Sequence, residues 1–207
     1  MFNLIRTILR LIYKKPGFID FDRLSVNPAL FISNHFLSYG PVQFFLFSPF
    51  EVIPWVIHDV TRRYECRDYI RKEFIRKELH LDGSLSYFLA WIISILCLWI
   101  MRRIGAIPVF ARSRRLLFTF EKTIEALEKK KNVIIFIEKR PDGRYSRDIG
   151  FLNLADRYYE RTKKTLPIYF IKTDGRKIRV IAKYEDVTAH RKIGSETMQL
   201  LAEMNTP

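Results

Sequence analysis

A chain of 207 residues is long enough to bury a substantial single core. With 48% hydrophobic and 14% aromatic residues it is too apolar for a basic disordered tail. Its 36 Lys and Arg against 22 Asp and Glu leave a net charge of +14, which suits nucleic acid, an anionic bilayer or a phosphorylated substrate equally.

In chain order, Met1, Leu4, Ile5, Ile8, Leu9 and Ile12 recur at the spacing of one helix face, with Arg6, Arg10, Lys14 and Lys15 set off from it. This predicts a basic amphipathic helix ended by Pro16-Gly17. It reads either as a helix packed on the core or as an interfacial anchor with its cations toward lipid headgroups. Arg6 and Arg10 interrupt what would be a signal peptide's apolar region and no small-residue cleavage site follows, so secretion is not expected. Residues 29–33 read as a buried strand. Residues 51–58 form a strand-like stretch leading to Asp59.

Nineteen uncharged residues, 83–101, then lie between Asp82 and Arg102. As a helix they reach about 28 Å, close to the ~30 Å of a bilayer's hydrocarbon. A single span, a helix lying in the interface and a buried core helix all fit that length. Positive charge flanks the block: residues 102–131 carry nine Lys and Arg against three acids, and 139–192 carry fifteen against seven. Cys66 and Cys97 have no metal-site spacing and read as free thiols of a reducing compartment.

Downstream, 104–109 reads as a short strand, 116–131 as a helix, and 133–137 and 166–171 as strands. Residues 177–183 alternate Ile178, Val180 and Ala182 as on a half-buried strand. This alternation predicts an α/β domain with a mostly parallel central sheet.

Chemistry collects at strand ends, where α/β sheets place their sites. His35 directly follows 29–33, in Ile32-Ser33-Asn34-His35; on position alone it reads as a packed histidine. Strand 133–137 runs into Glu138, Lys139 and Arg140, and strand 104–109 is followed by Arg112, Arg114 and Arg115. Guanidinium groups suit a phosphate because they can meet its oxygens bidentately.

The order of these segments resembles the phospholipid/glycerol acyltransferase family, which includes the lysophosphatidic acid acyltransferases. The family's Asn-His-x-x-x-x-Asp block is similar to Asn34-His35-Phe36-Leu37-Ser38-Tyr39-Gly40. Its glycine, apolar strand and arginine look like Gly105 to Arg112, and its Phe-Pro-Glu-Gly-Thr-Arg is similar to Phe136-Ile137-Glu138-Lys139-Arg140. A glycine-led helix and Val-Pro-Ile strand resemble Gly150 to Ala155 and Leu166-Pro167-Ile168.

The resemblance implies a glycerol-3-phosphate acyltransferase-like domain over 18–190 carrying the 83–101 membrane-spanning or membrane-embedded helix. Residues 1–17 would be a membrane-interface helix and 191–207 a C-terminal helix or tail. It further implies an active site facing the cytoplasm, with His35 as general base and Glu138 as a site carboxylate. Asn34, Gly105, Arg112 and Arg140 would bind substrate. The donor would be acyl-CoA or acyl carrier protein and the acceptor a lysophospholipid, at an anionic membrane surface, with neither metal nor organic cofactor and no nucleic acid partner.

Three departures stand out. Gly40 replaces the aspartate that orients the histidine in the family, Arg112 falls one residue late, and the third block lacks its proline and its glycine. Asp59, Glu138, Ser38 and Tyr39 are the groups considered as substitutes for the lost carboxylate. The alternative expectation is a non-catalytic, lipid-binding member of the same fold.

Overall fold

A computed structural model describes residues 2–35, 38–110, 115–137, 151–185, 196 and 199–204. The elements in chain order are α1 (Phe2–Ile12), β1 (Gly17–Ile19), β2 (Leu30–Asn34), α2 (Tyr39–Phe47), β3 (Val52–Ile57) and α3 (Arg63–Tyr69). A π-helical stretch, Ile70–Arg76, continues α3. Then come α4 (Gly83–Ile104), β4 (Ile107–Val109), α5 (Leu116–Glu128), β5 (Asn132–Ile137), α6 (Phe151–Thr162), β6 (Ile168–Thr173) and β7 (Lys177–Tyr184).

The strands form one mixed sheet of order β1-β7-β6-β2-β5-β3-β4. Every neighbouring pair is parallel except β6 and β7, so the mostly parallel α/β class expected from the alternation holds. The chain divides into two compact units, Met1–Pro54 with Phe120–Pro207, and Trp55–Thr119. The second unit contains the uncharged 83–101 segment but is larger than that helix alone.

In the first unit the central strands are apolar on both faces, as parallel strands covered by helices must be. One face gathers Phe31, Ile134, Tyr169, Ile171, Ile178 and Val180 with Phe21 and the α2 residue Phe44. Leu30, Ile32, Val133, Ile135, Ile168 and Phe170, of opposite parity, are buried on the other face. Two asparagines sew the sheet at its two ends. Asn132, at the start of β5, accepts the Asn27 N–H (2.9 Å) and donates to the Glu51 carbonyl (3.0 Å); Asn34, at the end of β2, is described below. On α6, Arg161 bonds Glu121 (2.9 Å) and Glu128 (3.0 Å) of α5, which fixes these two helices together.

The β6–β7 hairpin turns at Asp174-Gly175, where Gly175 has φ 83°. Asp174 Oδ1 accepts the N–H groups of Arg176 (2.8 Å) and Lys177 (2.7 Å). Desolvation works against the carboxylate here, but these backbone bonds outweigh it and hold the Asp174 pKa below its ordinary value. Residues 199–204 are helical, with Leu201 and Met204 buried.

In the second unit α4 runs 22 residues, to Ile104, so the strand expected from 104 begins only at Ile107. The cause is a helix stop: Gly105 takes the left-handed conformation (φ 70°), its N–H donates to the Arg102 carbonyl (3.3 Å), and Ala106 N–H donates to Met101 (2.9 Å). The strand expected over 166–171 is likewise displaced to 168–173, after Pro167, which has no N–H to give the ladder. β4 is an edge strand that tolerates Pro108, whose carbonyl accepts the Thr119 hydroxyl (2.8 Å). Cys66 and Cys97 are free, as expected. The Cys66 thiol, hydrogen-bonded with Cys97 and buried, has its pKa pushed up.

Candidate functional site

The site follows from the connections of the sheet. β2 and β5 are neighbours and parallel; the chain leaving β2 travels toward β3, whereas the chain leaving β5 travels the other way, toward β6. Right-handed crossovers in opposite directions leave from opposite faces. The carboxyl ends of β2 and β5 are therefore a topological switch point, where an open α/β sheet forms its binding crevice.

His35 stands at this point. Its N–H donates to the Ile137 carbonyl (3.0 Å), one step beyond the Asn34–Ile137 register, so the main chain is still tied to β5 where the side chain leaves the sheet. The half-buried imidazole meets the Phe136 ring edge-on, with centroids 5.9 Å apart and planes at 80°. Phe136 in turn contacts Phe44 of α2 (6.4 Å). The imidazole thus rests against an aromatic pair that joins β5 to α2.

Asn34 is 5% exposed and has both ends of its amide engaged: Nδ2 donates to the Thr173 carbonyl (2.9 Å) and Oδ1 accepts the Thr173 N–H (2.7 Å). The side chain acts as one more rung of the β2–β6 ladder, which in main-chain register ends at Ser33 and Ile171. These two bonds brace the strand that delivers His35. Gly105, also expected to bind substrate, has a backbone explanation in the α4 stop. Gly40 is buried in the first turn of α2. Glu138, Arg112 and Arg140 lie outside the described residues, as do Arg114, Lys139 and Gly150.

α2 is itself tied down by the N-terminal helix. Arg6 Nη2 and Arg10 Nε donate to the Leu46 carbonyl (3.1 and 2.8 Å), satisfying the carboxyl end of α2. The two guanidiniums also lie over the rings of Phe45 and Phe47. Burial, with Arg10 beside it, lowers the Arg6 pKa. Tyr13 meets Tyr39 (5.3 Å), and the buried Gln43 donates to the carbonyls of Lys14 (2.8 Å) and Gly175 (3.0 Å). Arg6 and Arg10, expected to face lipid headgroups, thus bond the carbonyl end of α2, Arg10 remaining exposed. Of the predicted apolar face, Ile5 and Leu9 are half-buried while Leu4, Ile8 and Ile12 are exposed, as is Leu11 by 83%.

In the second unit a further histidine ends a strand. β3 pairs with β4 through Ile57 and Val109, and the next residues, His58 and Phe110, bring their rings to 4.2 Å. Thr61 Oγ1 is 3.5 Å from His58 Nδ1, and the Arg115 guanidinium lies 5.8 Å from the Phe110 ring centre. The signal for this group was present in sequence: His58 follows an apolar strand as His35 does. Asp59 is exposed on the turn after β3. Among the described residues no group of three His, Cys, Asp or Glu is placed to hold a metal ion.

No protein-family model, no curated protein and no solved structure matches the chain.

Proposed function

We propose that this protein is a membrane-associated acyltransferase that moves a fatty acyl group from an acyl thioester, on coenzyme A or acyl carrier protein, to the hydroxyl of a lysophospholipid or glycerol phosphate. The carrying observation is His35, held by strand pairing and resting against the Phe136 ring at the switch point of the sheet. In this reading an imidazole nitrogen takes the acceptor's hydroxyl proton as the oxygen attacks the thioester carbonyl. The tetrahedral intermediate collapses with loss of the thiolate, which recovers the proton from the imidazolium, leaving an ester and a free thiol. Glu138 would be a site carboxylate, and Arg112 and Arg140 would hold the acceptor's phosphate. The reaction would need no metal or organic cofactor and would run at the cytoplasmic face of an anionic membrane. The outward apolar faces of α1 and α4 support the membrane setting.

A second reading, a non-catalytic lipid-binding protein of the same architecture, is favoured by one residue. Gly40 has no side chain with which to orient an imidazole. Disabling the orienting carboxylate of a Ser-His-Asp triad costs about 10⁴-fold in turnover, or roughly 5.5 kcal/mol of barrier.

Acyl transfer from a radiolabelled thioester to a lysophospholipid distinguishes the two. The enzyme reading expects measurable transfer that His35→Ala abolishes; equal rates in wild type and variant exclude it. Gly40→Asp should raise turnover by orders of magnitude if the rest of the site is competent. Absence of transfer in all three, with retained lipid binding, establishes the second reading.

A further inference from the structure

The two faces of α4 are reversed relative to those of a helix in a water-soluble unit. Ser86, Ala90, Ser94 and Leu98, spaced by four, are buried, whereas Leu85, Phe88, Trp91, Ile92 and Ile95 are 43–58% exposed. Up to Ile95 small side chains thus face the protein and large apolar ones face outward; beyond it Leu98 and Ile100 are buried as well. Of the most apolar stretch only 22% is buried, which removes the core-helix reading. An exposed apolar strip of this length is an interaction surface.

What α4 packs against decides how a bilayer can take it. Arg71 Nε donates to Ser86 Oγ (3.3 Å) and its guanidinium sits 3.5 Å from the centre of the Tyr87 ring. Further along, Cys66 Sγ lies 3.9 Å from the Ser94 carbonyl, and Cys66 and Val60 pack with Leu98. One side of α4 is therefore held from its first turn to its last third by α3 and the π-helical stretch. Those carry Arg63, Glu65, Arg67, Asp68, Arg71, Lys72, Glu73 and Arg76. A spanning α4 would draw these charges into hydrocarbon, which is unfavourable for each of them. Lying flat avoids this, with the apolar side in the acyl region and the charged helix above it among headgroups and water.

Charge chooses the occupant. The unit Trp55–Thr119 contains twelve Lys and Arg and six acids, and Arg102 and Arg103, both exposed, close the end of the apolar strip. A second copy would set one net-positive unit against another, whereas an anionic leaflet complements it. Trp91, midway along the strip, sits at interfacial depth if the helix lies flat and at the bilayer centre if it spans.

We propose that α4 is a monotopic element: it lies in the plane of the membrane, buries Leu85, Phe88, Trp91, Ile92 and Ile95 in one leaflet, and never crosses. The proposal shares the membrane setting of the acyltransferase reading but needs no catalysis.

The full-length chain, carrying Trp55→Phe and Trp99→Phe, is added to preformed vesicles of phosphatidylcholine and phosphatidylglycerol, and Trp91 fluorescence is quenched by lipids brominated at shallow or deep acyl positions. Separately, Ser84→Cys and Arg103→Cys are labelled with a membrane-impermeant maleimide, the wild type setting the background from the native thiols. Shallow quenching, labelling of both ends from the outside, and a loss of vesicle partition on the order of tenfold or more in Phe88→Asp/Ile92→Asp are expected. Deep quenching with one end protected means that α4 spans, and overturns the proposal. Failure to partition, with a dimer that the double variant disperses, assigns the face to a second copy and overturns it equally. A chain that partitions in this way but transfers no acyl group leaves the proposal standing and removes only the enzymatic reading; an active chain with Trp91 at the bilayer centre does the reverse.

Discussion

Asn34 shows how one side chain can place another. Its amide imitates a peptide group and extends β2 toward β6 where the backbone ladder has ended, so His35 leaves from a strand clamped on both sides: by Thr173 through Asn34 and by Ile137 through its own N–H. Asn34→Ala would leave the N–H and carbonyl of Thr173 without these partners, at roughly 1–3 kcal/mol per buried group. The expected outcome is a loss of about 2–4 kcal/mol in urea unfolding, read as a lower midpoint at unchanged slope. A change below about 0.5 kcal/mol would contradict the bracing role. The Asn-His pair stood out in sequence, yet nothing local showed that the asparagine braces a strand. That bracing depends on Thr173, 139 positions away.

Among the elements, the two apolar helices were the most legible in their existence and the least in their orientation. Periodicity gave α1 and the uncharged run gave α4, but which face turns inward was decided by partners far along the chain. Arg6, half-buried, and Arg10, still exposed, bond the end of α2 because it offers carbonyls that need donors. Arg6→Ala/Arg10→Ala should therefore destabilise the chain by about 1–2 kcal/mol, the size of charged hydrogen bonds discounted for partial exposure. Leu11→Ser, on the outward face, should leave thermal unfolding in detergent-free buffer within about 0.5 kcal/mol of wild type. The reverse ranking would mean that the apolar stripe, and not the arginines, seats the helix. The end of α4 was misplaced by the apolar continuity of 104–109. Gly105 carried the stop signal, but a glycine before a strand reads equally as a turn until the bonds from Gly105 and Ala106 back to the helix are seen. The α3 and π-helical stretch went unread because its alternating charges give no continuous apolar face.

At the scale of the whole molecule, the net charge of +14 and the apolar faces make a joint prediction. Binding to anionic vesicles in a co-sedimentation assay should weaken as salt rises, through screening of the cations, yet keep a salt-resistant part from apolar burial. Filter binding of nucleic acid should vanish over the same range. Nucleic-acid binding that survives high salt, without vesicle binding, would contradict the proposed membrane setting. The α/β alternation, the strand cores and the histidine at a strand end were determined by the sequence alone, because each rests on residues adjacent in the chain. Strand order was not, and with it came the site: β2 and β5 are neighbours only because the chain returns across a gap of about a hundred residues to pair Asn34 with Ile137. The sequence likewise determined that residues 1–12 carry an apolar helix face and that 83–101 are uncharged. Only the tertiary structure decided that Leu4, Ile8 and Ile12 of α1 and Leu85, Phe88, Trp91, Ile92 and Ile95 of α4 stay exposed, since Arg6, Arg10, Ser86, Ala90 and Ser94 took the contacts that each helix makes with its own unit.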